Sequence, residues 1–215
     1  MKIRIVDFGV GNLHSALKAL RLFCDDASTS EDPAELRSAD ALVLPGVGSF
    51  RAGMHGLQVR GLGDVVREAA EAGKPILGIC LGAQLLLSEG QEFGRCEGLG
   101  IIPGEVVPFP PLADGCKVPH MGWSPVDVPD AVSREGTILE ATPPGADMYF
   151  VHSFLLRPQD HVHTLAVTSY GGHTFASVIR KGNVYGCQFH PEKSGAEGLR
   201  LLERFASICA EAVLR

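Results

Sequence analysis

The chain has 215 residues, 45% of them hydrophobic and 20% charged, with a formal net charge of −6 at pH 7. That length suits one domain with a full core, and the acidic balance, with no run of Lys or Arg, argues against nucleic acid as the main partner. No apolar stretch reaches the roughly 18 residues that cross a bilayer.

Taken in order, "IRIVDFG" predicts a buried strand, followed by a helix from about Asn12 to Cys24 with Leu13, Ala16, Leu17, Leu20 and Cys24 on one face. "ADALVLPGVG" is a second apolar run ending in Pro-Gly. Asp64 reads as an N-cap for "VVREAAEAG", with Gly73 as its stop. "KPILGIC" is the next strand and "AQLLLSEG" the next helix. From about Gly98 to Thr168 prolines at 103, 108, 110, 111, 119, 125 and 129 favour loops and edge strands. "HTFASVIRKGNVYGCQFH" predicts a hairpin turning at Lys181-Gly182-Asn183. Residues 196–213 form an amphipathic helix with Leu199, Leu202, Ala206, Cys209 and Val213 inward. Strands alternating with helices predict an α/β fold: an open, mostly parallel or mixed sheet flanked by helices, over a single domain of residues 1–215. The charged opening, Met1-Lys2-Ile3-Arg4-Ile5-Val6-Asp7, does not fit a secretory leader, so a cytoplasmic protein is expected. The six cysteines (24, 80, 96, 116, 187, 209) show no Cys-x-x-Cys pair or finger spacing, so neither a disulfide framework nor zinc is expected. All but Cys80 read as small hydrophobes.

Ligands of open parallel sheets bind beyond the carboxyl ends of the strands, and three unusual segments fall there. Gly78-Ile79-Cys80-Leu81-Gly82 has the form of a nucleophile elbow, with sulfur in place of a serine oxygen. Such a turn is too tight for side chains two residues away. It holds the nucleophile in a strained conformation at the start of a helix, a place that activates thiols, and the Leu81 N–H would face an oxyanion beside the sulfur. The plainer alternative is a buried cysteine between glycines that let strand and helix pack closely. In "CQFHPEKSG", His190 and Glu192 lie two apart, which in extended chain turns both to one cleft. A carboxylate behind an imidazole sets its tautomer; a capping Glu beside a satisfied surface His is the alternative. Together with Cys80 they supply a nucleophile, a base and an orienting acid. "LPGVGSF" lacks the Gly-Lys-Ser/Thr of a phosphate loop. It either presents backbone N–H groups to an oxyanion or is a plain tight turn. His14, His55, His161, His163 and His173 carry no motif and read as surface or structural, whereas His120 and His152, in aromatic-rich segments, stay open. A sensor with Cys80 as a redox-sensitive thiol is the competing class of function, but it leaves His190 and Glu192 without a role.

Over nearly the whole chain these residues resemble the class I (triad) glutamine amidotransferases, on "GICLGAQ" followed about 110 residues later by "FHPE". "DFGVGNLHS", "LPGVGSF", "VPHMGW", "YFVHSF" and "HPEKSG" are similar to the glutaminase subunits of imidazole glycerol phosphate synthase. The resemblance implies that Cys80 attacks the amide carbon of glutamine, with His190 as base and Glu192 behind it. It implies an oxyanion held by Leu81 and the Val47 and Gly48 segment, and a peptide before Gly48 that keeps the enzyme idle until the partner is loaded. Gln84, Glu92 and Ser153 would hold the substrate. The implied partner is a (β/α)₈ cyclase barrel, in a heterodimer, that receives ammonia through a channel and makes imidazole glycerol phosphate and AICAR in histidine biosynthesis. Asn12, Trp123, Tyr149 and Lys193 would meet it, although a lone Trp123 also fits a core. No cofactor and no metal is implied. A glutaminase serving another acceptor, such as chorismate, is the neighbouring alternative. Two positions depart from the pattern: Ala83 stands where Met is usual, and Ser124 stands where Asn is usual, the latter expected to bear on the interface.

Overall fold

The computed structural model describes residues 1–214. The elements are β1 (Ile3–Val6), α1 (Leu13–Leu20), β2 (Ala27–Ser30), α2 (Pro33–Ser38), β3 (Ala41–Gly46), α3 (Phe50–Val59), α4 (Leu62–Glu71), β4 (Ile76–Cys80), α5 (Leu81–Leu85), β5 (Leu87–Gly90), β6 (Cys96–Glu97), β7 (Ile102–Pro108), β8 (His120–Val126), β9 (Ala146–His152), β10 (Phe154–Pro158), β11 (Thr164–Tyr170), β12 (His173–Lys181), β13 (Val184–Cys187) and α6 (Gly195–Val213).

Among the described residues eleven strands form one sheet, in the order β2-β1-β3-β4-β13-β12-β10-β7-β5-β6, with β11 joined to β12. The run from β2 to β13 is parallel, and antiparallel strands extend it from β12 to β7. β8 and β9 pair separately as an antiparallel ribbon. Alternation along the parallel strands divides their side chains between two cores. Ile3, Ile5, Ala41 and Val43 face α1 and α6, and Leu42 and Leu44 face α2 to α5. The mixed sheet, the "KPILGIC" strand and the hairpin at Gly182 (φ +59°) are as expected.

Several boundaries differ from the sequence reading. The first helix ends at Leu20 rather than Cys24, and residues 21–23 form a turn. Asp64 is not the cap of α4: Gly61, at φ +65°, starts that helix, and Asp64 sits in its first turn paired with Arg67 at 2.9 Å. Only the first part of the predicted "AQLLLSEG" helix exists, because Leu87–Gly90 pairs in parallel with β7 and tertiary pairing overrides local preference. On α6 the buried stripe is Leu201, Leu202, Phe205, Ala206, Ile208 and Cys209; Leu199 is half-buried and Val213 is exposed. β2, α2 and α3 are among the elements that carry no pattern in the sequence. β2 is the polar "ASTS", α2 is only six residues long, and α3 contains Gly53 and Gly56, which weaken a helix. Packing demands both glycines: a Cβ on Gly53 would meet Leu85, and one on Gly56 would strike the Phe8 carbonyl.

Candidate active site

Cys80 ends β4 and begins α5 with φ 53° and ψ −110°, a conformation that side-chain-bearing residues rarely adopt. Its flanking glycines are required by space. A Cβ on Gly78 would lie 2.8 Å from the backbone of Gly82 and Ala83, and one on Gly82 would collide with the Leu44 carbonyl. The small Ala83 packs in the same crowded joint, where a Cβ on Gly186 would already be 3.0 Å from the Ala83 side chain. β3 pairs with β4 so that Gly46 lies opposite Cys80, which brings Val47 and Gly48 (φ +104°) beside the elbow.

On the other side β13 pairs with β4, Cys187 opposite Ile79, so the chain leaves the sheet after Cys187 at the same edge as the sulfur. His190 follows after two further residues, and Pro191–Lys193 form a single 3₁₀ turn. That turn, rather than an extended strand, folds Glu192 back on His190: Nδ1 lies 2.8 Å from the Glu192 Oε1, and both side chains are buried. The backbone of His190 is pinned by its N–H to the Tyr149 carbonyl (2.9 Å) and by the Ser194 hydroxyl donating to its own carbonyl (2.6 Å). Nε2 is buried without a hydrogen-bond partner among the described residues and lies beside Cys80. Burial pulls the His190 pKa down, but the Cys80 sulfur and the Glu192 carboxylate outweigh it and carry it up to about 9. The imidazolium is the form this site stabilises.

Between these two edges lies a cleft of ≈ 320 Å³, large enough for an amino-acid side chain. Val47, Gly48, Leu81, Gln84, Glu92 and Ser153 line it together with Cys80 and His190. The Glu92 carboxylate accepts from the Phe50 N–H at 2.7 Å, which fixes it at the rim. The four expected interface residues surround the His-Pro-Glu turn instead. α1, capped by Asn12, and β9, carrying Tyr149, both pack on that turn, and Lys193 is exposed on it. Trp123 is 56% exposed with its ring 6.0 Å from that of Tyr149, so it is not a core residue. Ser124, by contrast, faces inward and bonds to His120 (2.9 Å) rather than meeting solvent.

Three features of the site escaped the sequence. Gln188 donates from Nε2 to the Cys80 sulfur (3.8 Å) and accepts from the Gln84 amide (3.1 Å). The Cys80 thiol donates to the Val151 carbonyl at 3.8 Å. His120 and His152 are buried against each other, Nδ1 to Nε2 3.0 Å, with His152 in the wall of the cleft. A signal for Gln188 existed: it is a polar residue between the apolar Cys187 and Phe189, where burial demands a partner. The other thiols are all free. Cys24, Cys187 and Cys209 are buried, Cys96 and Cys116 are half-buried, and burial holds the Cys187 and Cys209 thiols protonated. Among the described residues no cluster of His, Cys, Asp and Glu is arranged to hold a metal ion, and no helix is long and apolar enough to cross a membrane.

Residues 4–209 match the family described as glutamine amidotransferase class-I. Subunit HisH 1 of imidazole glycerol phosphate synthase from Legionella pneumophila (strain Lens) is 45% identical over 210 residues, covering 96% of this chain and 99% of that one. The HisH subunit from Moorella thermoacetica is 44% identical, covering 98% and 96%. Among solved structures, a glutamine amidotransferase superposes with a TM-score of 0.74 at 21% identity, over 98% of this chain and 100% of that one. A second glutamine amidotransferase, from Thermotoga maritima, gives 0.64 at 13% identity over 100% and 99%. At those identities the two superpositions speak for the fold alone.

Proposed function

The chain belongs to the class-I glutamine amidotransferases and, among them, to the HisH subunits of imidazole glycerol phosphate synthase; on that premise we propose that it hydrolyses glutamine through Cys80, His190 and Glu192. The observation that carries this reading is the convergence at one edge of the sheet: a strained cysteine elbow facing a buried imidazole whose other nitrogen is held by a carboxylate. The whole chain acts as one glutaminase domain, working in the cytoplasm without a cofactor. Ammonia passes to a cyclase partner, a (β/α)₈ barrel that uses it to form imidazole glycerol phosphate and AICAR in histidine biosynthesis.

The steps follow from the geometry. The Cys80 thiolate attacks the side-chain amide carbon of glutamine, and the carbonyl oxygen becomes an oxyanion held by the Leu81 and Gly48 N–H groups. His190, as imidazolium, gives its Nε2 proton to the departing nitrogen. The C–N bond breaks, ammonia leaves, and a γ-glutamyl thioester remains on Cys80. The neutral His190 then takes a proton from water, which attacks the thioester and releases glutamate and the thiolate. Glu192 keeps the proton of Nδ1 in place throughout and stabilises the imidazolium. Gln84 and Ser153 hold the substrate, and Glu92 receives its α-ammonium. Gly48 accepts either sign of φ, so the peptide joining Val47 to Gly48 is free to flip. Losing one oxyanion donor lowers kcat by ~10²–10³, which makes that flip a sufficient gate. Asn12, Trp123, Tyr149 and Lys193 form the docking face for the barrel.

The test is glutamate release from glutamine by this chain alone, with the cyclase, and with the cyclase plus its nucleotide ligand. Strong release only in the full mixture, abolished by Cys80→Ala, is expected. Release that survives Cys80→Ala removes the triad, and equal release with and without the cyclase removes the partner.

A further inference from the structure

Three buried polar groups take no part in these steps: His152, which lines the cleft, and His120 and Ser124 behind it. They form one chain. The Ser124 hydroxyl lies 2.9 Å from the His120 Nε2, the His120 Nδ1 lies 3.0 Å from the His152 Nε2, and the His152 Nδ1 lies 2.8 Å from the Phe154 carbonyl. A carbonyl only accepts, so the His152 proton is on Nδ1 and its Nε2 is a lone pair. His120 therefore donates from Nδ1, which leaves its Nε2 to accept from Ser124. Burial keeps both rings neutral, lowering their pKa values to about 4 and about 3. The position of every proton in the chain follows from its last acceptor.

What the chain clasps is the bend between β9 and β10. His152 ends β9, Phe154 begins β10, and a single residue, Ser153, separates them. Immediately before the bend is the Val151 carbonyl, 3.8 Å from the Cys80 sulfur; within it is Ser153, in the cleft wall. The Phe154 carbonyl that ends the chain also accepts from Gln84 at 3.5 Å. The His120 ring is fixed from both faces, stacked on Phe150 (4.8 Å) and Tyr170 (4.0 Å). At its far end the chain is rooted in β8, whose alternate residues Met121 and Trp123 point outward and are exposed.

We propose that the Ser124–His120–His152 chain is a positioning device for the glutaminase reaction: it clamps the β9–β10 bend, and with it Val151 and Ser153, in place beside Cys80, and it ties that bend to the strand whose outer face carries Met121 and Trp123. A shift of β8 is thereby transmitted to the nucleophile through two rings and three hydrogen bonds. The proposal rests on the glutaminase reading above and adds a route by which an event at the exposed face of β8 reaches the sulfur.

The test is made on the complex with the cyclase. His120→Phe keeps the stacked shape and deletes both nitrogens, while His120→Asn puts an N–H where Nδ1 was. His120→Phe is expected to lower kcat by at least about tenfold, and to raise KM as well because Ser153 lies in the released bend. His120→Asn is expected to recover most of that loss. Independently, ¹⁵N spectra of the histidine side chains in the wild-type complex are expected to show both rings neutral and protonated on Nδ1. The proposal falls if His120→Phe retains kcat within twofold, if His120→Asn is no better, or if either wild-type ring carries its proton on Nε2. Should His120→Phe not fold, the wild-type spectra decide. Failure of the glutaminase reading shows differently, as wild-type glutamate release that does not depend on Cys80.

Discussion

Two histidine environments meet at the same cleft, which His152 and His190 line, and they end in different charge states. His120 and His152 are buried among aromatic rings and bond only to each other, a hydroxyl and a carbonyl, so desolvation prevails and both stay neutral. His190 is buried as deeply, yet a carboxylate at 2.8 Å on one nitrogen and the cysteine sulfur beside the other hold it protonated up to about pH 9. Burial alone thus creates a rigid, uncharged clasp; burial with an anionic partner creates an acid ready to protonate a leaving group. The difference lies in two partners, the Cys80 sulfur and the Glu192 carboxylate that the 3₁₀ turn folds back.

The comparison is broken most directly by removing the charged ring. His190→Asn is expected to lower kcat for glutamate release by ~10³-fold or more, and adding Cys80→Ala should cost little beyond either single change, because members of a triad act as a unit. Steady-state kinetics of the two single variants and the double variant checks both points.

Next in size, Glu192→Gln leaves the ring in place and takes away one of its two anionic partners, the Cys80 sulfur being the other. Kcat is expected to fall by ~10²–10⁴-fold, and the His190 pKa is lowered from its wild-type value, with the Cys80 sulfur alone left to oppose desolvation. In the wild type the alkaline limb of the rate profile should lie near pH 9, where the imidazolium that protonates ammonia is lost. In the variant that limb should move to lower pH. An unmoved limb would assign it to another group.

A smaller effect is expected from Gln188→Leu, which removes the N–H that faces the sulfur and the acceptor that holds Gln84. One such bond is worth roughly 1 kcal/mol, or about a fivefold to tenfold loss in kcat/KM, measurable as slower capture of Cys80 by a glutamine-like electrophile.

The mildest test concerns stability. His120 and His152 have folded pKa values below the ordinary 6.5, so their contribution is complete above pH 6.5 and is lost as pH falls towards about 4 and about 3. His190 has a raised value, so its contribution is complete below pH 6.5 and is lost as pH rises through about 9. Urea unfolding midpoints between pH 4 and 6.5 should therefore rise with pH, and His120→Phe should flatten that slope. A slope unchanged in the variant would assign acid sensitivity elsewhere.

The features legible in the sequence were those whose cause is local. Glycines two residues either side of Cys80 report a turn that forbids a Cβ, and the structure shows the backbone atoms that forbid it. The apolar runs of β3 and β4 read as strands because parallel strands buried on both faces need no alternation. Less was legible where a neighbour supplies the stability. The "ASTS" of β2 has no apolar pattern and forms by pairing with β1, and Leu87–Gly90 looks helical but is claimed by β7. The glycines of α3 argue against a helix until Phe8 and Leu85 are seen pressed against them.

The same division holds for the site. The chain's own order of residues determined which side chains could act as nucleophile, base and acid, because the elbow and the His-Pro-Glu turn are short-range constructions. Only the tertiary structure decided what surrounds them: that Ser124 turns inward, that Gln188 and the Val151 carbonyl meet the sulfur, and that His120 and His152 are neutral while His190 is charged. Those outcomes depend on burial and on partners both near and far along the chain, such as Gln188 and Cys80, and electrostatics in a protein interior is set by what lies nearby in space, which no local pattern records.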